Sequence, residues 1–584
     1  MDTINSFKGY GKVDPAAEQA FRRKTRKRII ILAVSAVLLV GLVIGIVAGT
    51  VIHKKNKNEG SGSGEGGDAT RSTSKSVQAI CSVTEYKDSC VSSLSQVAGE
   101  KTTDPKKLFV LSLQLAVDSL KKLASQPAGW RKGTADESVQ KAFGVCRDVF
   151  DDAIDRLNDS ISSVDGGDGK RFSTAIIADL KTWLSSAVTD QETCLNALEE
   201  IKANATVVDN VKAVMKNSSE FASNSLAIVA HIFSILGDFN IPIHRKLLAA
   251  NQDSDRFPEW VRSGDRKLLQ AANPKPDVTV DKNGSPATVK TIQEAVDKIP
   301  KKSKTRFVIY VMAGEYKENL VLDKHKWNVM MYGDGKGKTI ITGNTNFIDG
   351  TPTFKTATFA VAGKGFIGRD ITFQNTAGAE KHQAVAMRSG SDQSVFYRCS
   401  FDAYQDTLYA HSNRQFYRDC DITGTVDFIF GNAAVVFQNC KIQPRQPLPN
   451  QFVTITAQGK KDPNQNTGIS IQKCDISPLD KLTAPTYLGR PWKQFSTTVI
   501  MQSTIGSFLK PQGWIEWVPN VDPPASIFYG EYMNTGAGAG VEQRVKWAGY
   551  KPSITSDQAS KFTVESFIQG GEWLPADVTH EPTL

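Results

Sequence analysis

The reading of this chain turns on four short phrases, VFYRC (Val395–Cys399), FYRDC (Phe416–Cys420), VFQNC (Val436–Cys440) and ISIQKC (Ile469–Cys474). Each is followed two residues on by an apolar residue: Phe401, Ile422, Ile442 and Ile476. The cysteines are spaced by 21, 20 and 34 residues, as if one turn carried a longer loop. Repetition at such a period marks a solenoid in which each turn stacks on the last. Around these phrases, from about Val278 onward, short β-branched and aromatic runs alternate with Gly, Asn and Asp turns. FIGRDITFQN (Phe366–Asn375) and TVIMQSTIG (Thr498–Gly506) read as further rungs. Sandwiches and propellers also contain many short strands, but only a parallel β-helix requires equivalent residues one coil apart to stack. The expectation is an all-β parallel β-helix.

Register then selects the chemistry. Asp406 lies seven residues after Cys399, and Asp427 seven after Cys420. Stacked cysteines imply stacked aspartates, with two carboxylates across one strand spacing of about 5 Å. At that separation both resist ionising together, which yields one protonated acid and one anionic nucleophile. Either aspartate alone would read as a turn cap. Gln405 and Gln383 add amides able to donate to an oxyanion; Arg490 can pair with a carboxylate and Trp492 can stack on a sugar ring. There is no G-x-S-x-G elbow, GDGKGKT (Gly333–Thr339) lacks the first glycine of a phosphate loop, and the seven histidines show no zinc spacing. No metal and no cofactor are expected. Stacking also predicts the disulfides Cys399–Cys420 and Cys440–Cys474, since adjacent rungs satisfy the Cα separation of about 4.4–6.8 Å.

The 584 residues exceed one core. A net charge of +9, thinly spread, suits a polyanionic partner and gives no nucleic-acid footprint. FRRKTRKR (Phe21–Arg28) runs into Ile29–Ile52, 24 residues without a charge. At about 1.5 Å per residue this can cross a bilayer, and the positive-inside rule places the downstream chain in the lumen. A signal-anchor is favoured over a cleaved signal peptide. The expected organisation is a basic cytoplasmic tail (1–28), a transmembrane signal-anchor (29–52), a flexible linker (53–76), a helical bundle (77–236), a processing connector (237–276) and a catalytic β-helix (277–584). In the bundle, Val139, Ala142, Phe143, Cys146, Val149, Phe150, Ala153, Ile154, Leu157 and Ile161 step by three and four. Similar stripes run through Leu108–Leu123, Phe172–Ile201 and Val211–Phe233, suggesting four antiparallel helices. Cys81–Cys90 would close a short loop ahead of them, and Cys146–Cys194 would tie two long helices. All eight cysteines follow the apolar segment, as an oxidising compartment allows. Asn158, Asn204, Asn217 and Asn283 open glycosylation triplets. RKLL occurs twice in the connector, at Arg245–Leu248 and Arg266–Leu269; identical repetition between two domains reads as processing sites.

Two resemblances follow from these residues. The four N-terminal cysteines with SSAVTDQETCL (Ser185–Leu195) look like the pectin methylesterase inhibitor domain. GEYKE (Gly314–Glu318), QAVAMR (Gln383–Arg388), YQDTLY (Tyr404–Tyr409), GTVDFIFGNA (Gly424–Ala433) and LGRPW (Leu488–Trp492) together resemble plant pectin methylesterase over about 300 residues. Met387 departs from the usual leucine, a volume-conserving swap. The resemblance implies a right-handed coil acting on methyl-esterified homogalacturonan with water. It makes Asp427 the nucleophile, Asp406 the acid/base and Gln383 with Gln405 the oxyanion hole, with Thr353, Gln383, Arg490 and Trp492 contacting substrate. It further implies a subtilisin-like processing protease, separate inhibitor proteins as partners, an extracellular cell-wall enzyme after processing, and an N-terminal domain that masks the cleft until the connector is cut. On the residues alone, a polysaccharide lyase or hydrolase on the same solenoid, and a wall-binding or inhibitor module, remain alternatives.

Overall fold

The computed structural model describes residues 67–99, 102–165, 173–232, 274–575 and 578–584. The apolar segment 29–52 and both RKLL sites lie outside the described residues. Among the described residues no helix is long and apolar enough to cross a membrane.

The repeat unit is borne out strand by strand. Strands Ser394–Tyr397, Arg414–Arg418, Ala434–Gln438 and Gly468–Gln472 hold the quoted phrases and pair in parallel with one another. They are neighbours in an 11-stranded sheet; sheets of 8 and 7 strands complete the walls of the coil. The predicted rungs at Phe366–Asn375 and Thr498–Gly506 occupy their places in the same ladders. Phe401, Ile422, Ile442 and Ile476 stack in one register column, with Phe373 before them and Ile505 after. In the neighbouring column Phe396, Tyr417 and Phe437 stack with ring centroids 4.7 Å apart at each step. These side chains are fully buried, so aromatic contact adds to apolar burial along the coil axis.

One turn recurs on six successive rungs. The residue between the 11- and 8-stranded sheets is left-handed at Asp370, Arg398, Asp419, Asn439, Lys473 and Gln502, with φ between 51° and 58°. Non-glycine residues rarely take this conformation. Here in-register neighbours repeat it, and Arg398 closes a bidentate pair with Asp370 at 2.7 and 2.6 Å.

The cysteine that follows each turn corrects an expectation. Cys399, Cys420, Cys440 and Cys474 are free thiols, not the pairs Cys399–Cys420 and Cys440–Cys474. A disulfide needs Cβ atoms about 3.5–4.5 Å apart with converging vectors. In a parallel in-register ladder the Cβ vectors run parallel at the strand spacing of about 4.8 Å. Register thus supplies the Cα spacing of a bridge without the converging Cβ vectors it needs. Instead, Cys420 Sγ donates to Phe396 O (3.4 Å) and Cys474 Sγ to Phe437 O (3.5 Å), carbonyls of the preceding rung.

N-terminal to the coil are α1 (Gly67–Cys81), α2 (Lys87–Val97), α3 (Pro105–Ala124), α4 (Gln126–Lys132), α5 (Glu137–Asp165), α6 (Thr174–Glu200) and α7 (Ala205–Ala230). The side chains of Asp104, Ser173 and Asn204 cap α3, α6 and α7 by accepting from backbone N–H groups. The long helices α3, α5, α6 and α7 coincide with the four apolar stripes and pack on one another. Cys81–Cys90 and Cys146–Cys194 are bridged as expected. Asn158, Asn204, Asn217 and Asn283 are exposed.

The thiol assignment is checked by titration in denaturant without reductant. Four of the eight cysteines should react, and all eight after reduction; a count of none in the unreduced chain would restore the stacked disulfides.

Candidate active site

The 7-stranded sheet positions the acidic pair. Strands Leu408–Ala410 and Ile429–Gly431 pair with Leu408 opposite Ile429. Asp406 and Asp427 each lie two residues before those partners, so they stack on adjacent rungs, as the spacing predicts. Both are left-handed (φ 62° and 53°) and both are buried. The turn therefore directs two carboxylates to one side of the coil.

Gln383 enters by a device the spacing did not disclose. Met387 pairs with Leu408, so simple register would put Ala384 opposite Gln405. Ala386 N and Met387 N instead both donate to Thr407 O, at 2.9 and 3.3 Å. Two residues facing one is a β-bulge. It shifts the register by one and brings Gln383 opposite Gln405. The two glutamines, both buried, thus sit on adjacent rungs beside the aspartates.

Arg490, just past strand Thr486–Gly489, holds Asp427 in a bidentate pair: Nε to Oδ1 at 2.8 Å and Nη2 to Oδ2 at 2.6 Å. Thr454, on the next rung, closes a clasp. Its hydroxyl donates to Asp427 Oδ1 (2.6 Å) and accepts from Asp427 N (2.8 Å). Oδ1 thus accepts from two of these donors and Oδ2 from one, which leaves Oδ2 the freer nucleophilic oxygen. Asp406 receives no such cation. Burial pushes its carboxyl well above the ordinary carboxylate range; the charges of Asp427 and Glu200 push the same way, and Arg490 offsets them in part. One carboxylate is clamped by a guanidinium and its neighbour keeps a proton, the division of labour that acid-assisted nucleophilic attack requires.

Aromatic side chains line the groove. Tyr409 and Phe430 stack at 4.1 Å between centroids, Phe354 meets Tyr409 edge-on at 6.3 Å, and Trp492 and Trp517 stack at 6.1 Å. The Arg490 guanidinium lies 4.2 Å from the Trp517 ring centroid. Thr353 opens a short turn, Thr353–Lys355, beside Phe354.

Helix α6 covers this groove. Trp183 Nε1 donates to Asp392 Oδ2 (3.1 Å), Thr189 Oγ1 accepts from Asn432 (2.9 Å), and Thr193 Oγ1 meets His411 Nε2 (2.9 Å). Glu192 and Asn196 both accept from Lys493 Nζ at 2.7 Å, and Glu200 Oε1 accepts from Thr353 N at 2.8 Å. Burial pushes His411 down to about 3, so it meets Thr193 as a neutral ring. Phe354, Tyr409, Phe430, Trp492 and Trp517 share one apolar cluster with the helices. Sequence reasoning singled out neither Thr454, Trp517 and Glu200 nor the polar face of α6. The one available signal was the run of Ser, Thr, Asp and Gln in SSAVTDQETCL at helical spacing, polar residues that the structure buries.

A parallel β-helix carrying a clamped aspartate, a protonated partner and two amides in an aromatic groove defines a carboxyl-ester hydrolase class. Residues 277–571 match the family profile Pectinesterase, and 75–228 match Plant invertase/pectin methylesterase inhibitor. The chain is 58% identical to Pectinesterase 3 of Phaseolus vulgaris over 591 residues, covering 100% of each. It is 58% identical to Pectinesterase 1 of Arabidopsis thaliana over 586 residues, covering 99% of each. Among solved structures it is similar to pectin methylesterase from carrot, with TM-score 0.51 and 52% identity, covering 54% of this chain and 100% of that one. The chain belongs to the pectinesterase family.

The clasp generates a prediction. Thr454→Val keeps the volume and removes both hydrogen bonds to Asp427. It should lower kcat about 10- to 100-fold, the worth of a hydrogen bond to a charged group, with KM little changed. Thr454→Ser should recover most of the loss in steady-state kinetics on methylated pectin.

Proposed function

We propose that this chain is a pectinesterase that hydrolyses the C6 methyl esters of homogalacturonan, with methanol and a free carboxylate as products. The observation that carries this reading is the asymmetry of the stacked pair, Asp427 clamped by Arg490 and Asp406 without a cation. In this mechanism Asp427 Oδ2 attacks the ester carbonyl. The amides of Gln383 and Gln405 hold the tetrahedral oxyanion, and Asp406 gives its proton to the departing methoxide. Asp406, now a carboxylate, takes a proton from water, which cleaves the acyl-enzyme and frees Asp427. Thr353 and Trp492 contact the sugar chain, while Arg490 holds the nucleophile in place through its bidentate pair.

The helical domain in this reading is an internal inhibitor. Its helix α6 lies over the groove through hydrogen bonds and shared apolar packing, so substrate reaches Asp427 only once that contact is lost. Cleavage at Arg245–Leu248 or Arg266–Leu269 by a subtilisin-like protease would separate the two parts. The segment 29–52 would hold the precursor in a secretory membrane, and the processed enzyme would act in the cell wall. The right hand of the coil and glycans on the exposed asparagines belong to the same reading.

Asp427→Ala should abolish methanol release from methylated pectin while circular dichroism stays unchanged; retained release would end the assignment. Asp406→Asn should lower kcat without comparable loss of pectin affinity. Solution viscosity should stay constant as acid and methanol appear, whereas a hydrolase or lyase would shorten the polymer. The uncut chain should be less active than the 271–584 fragment, and equal specific activity would refute inhibition in cis.

A further inference from the structure

The last residue of α6 lies near the acidic pair. Glu200, partly buried, directs Oε1 to the backbone N–H of Thr353 at 2.8 Å. Its neighbour Glu199 instead turns outward to Lys212 at 2.8 Å. Glu200 is close enough to Asp406 that ionising it would raise that carboxyl further. Ile201, next along the chain, packs in the apolar cluster that holds Phe354, Tyr409 and Phe430. A side-chain carboxyl is thus presented to a backbone donor, beside the catalytic acid, within an aromatic groove.

The substrate class named above presents the same group. Each residue of an esterified polyuronide carries one C6 carboxyl or methyl ester, and its carbonyl oxygen seeks a donor in the groove. We infer that Glu200 is a substrate mimic: its carboxyl occupies the subsite in which Thr353 N–H receives the C6 carboxyl group of a sugar residue next to the one being hydrolysed. This inference rests on the pectinesterase reading and deepens it, because it names the atom group by which the helical domain competes with the polymer.

Protonation fits the assignment. Burial pushes the Glu200 carboxyl up from the ordinary 4.5 to about 7, against the Thr353 hydrogen bonding. The titratable groups that interact with it are Asp406, itself pushed toward its protonated form, and Tyr409. A neutral carboxylic acid has the carbonyl and the absence of charge of a methyl ester. The covered state therefore binds a proton that an exposed glutamate would release. The contact is at full strength below about pH 4.5, weakens as pH rises, and is weakest above about 7.

The test uses the uncut full-length chain and two readouts: methanol release from methylated pectin, and affinity for a fluorescent, partly methyl-esterified galacturonic acid hexamer. Glu200→Ala should raise both about tenfold, the worth of one good hydrogen bond in a closed site. Glu200→Gln, which keeps the carbonyl acceptor and cannot ionise, should stay blocked and show a shallower rise of activity between pH 4.5 and 7 than the unmodified chain. Glu199→Ala, one residue away on the exposed side, should match the unmodified chain. If Glu200→Ala leaves both readouts within twofold, the mimic is overturned, and the block belongs to the α6 surface as a whole. Should Glu200→Ala fail to fold, a Glu200→Gln profile as steep as that of the unmodified chain would overturn it equally. Protease treatment of each sample separates the two failures: if no cut chain releases methanol, the pectinesterase reading fails, and if all do, only the mimicry does.

Discussion

Rung-to-rung register is the constraint on which this molecule depends. Once each turn lies over the last at about 4.8 Å in parallel, every local feature is repeated or opposed by its neighbour. Phe396, Tyr417 and Phe437 become a ring stack, and six successive turn residues share a left-handed backbone. The same stacking drives Asp406 and Asp427 together, where isolated carboxylates would separate. The catalytic proximity is a by-product of core packing, so the apolar columns fix the site without any side chain dedicated to bringing the pair together.

Proximity alone would be destabilising. Two buried acids one strand apart cost free energy unless one is neutralised and the other compensated. The chain does both. Arg490 and Thr454 supply three hydrogen bonds to the Asp427 carboxylate, while burial and its neighbours hold the proton on Asp406. Arg490 is itself positioned by Trp517 at 4.2 Å and by its own backbone, whose N–H donates to Thr456 O at 2.9 Å. What stabilises the fold here also orders the pair: an oriented Asp427 side chain beside an Asp406 carboxyl that burial holds toward its protonated form.

Much of this was legible in the residues, because a solenoid writes its geometry as a spacing. The interval of seven from Cys399 to Asp406 and from Cys420 to Asp427 predicted the stacked pair, and the helical stripes predicted α3, α5, α6 and α7. Legibility stopped where spacing ceases to report geometry. The bulge at Ala386–Met387 leaves no periodic trace, since an inserted residue in one rung resembles a slightly longer turn. The cysteines misled for a related reason: Cα separation follows from register, but a disulfide depends on Cβ direction, which a parallel ladder keeps from converging. Thr454 lies within the irregular 34-residue interval from Cys440 to Cys474, where no repeat points to it. The covering face of α6 escaped because helical periodicity was counted in apolar residues, whereas the contact is made by Thr189, Thr193, Asn196 and Glu200.

That polar face also explains how one groove can be closed tightly and still be opened. An apolar cover would bury more surface, and it would favour the covered state at every pH. Here the groove's aromatics Phe354, Tyr409 and Phe430 share one apolar cluster with the helical domain, Ile201 included. The helix adds directional groups whose alternatives in water are nearly as good, so their net contribution is small. It also adds two acids, Glu200, which burial pushes up to about 7, and Asp190, pushed well above its ordinary range, and the neighbouring α5 adds Asp152, pushed up to about 6. Exposed to solvent, each would ionise at a lower pH, so every one of them tilts the balance toward opening as the pH rises. The covered state is thus held by interactions that a single polypeptide makes at high effective concentration.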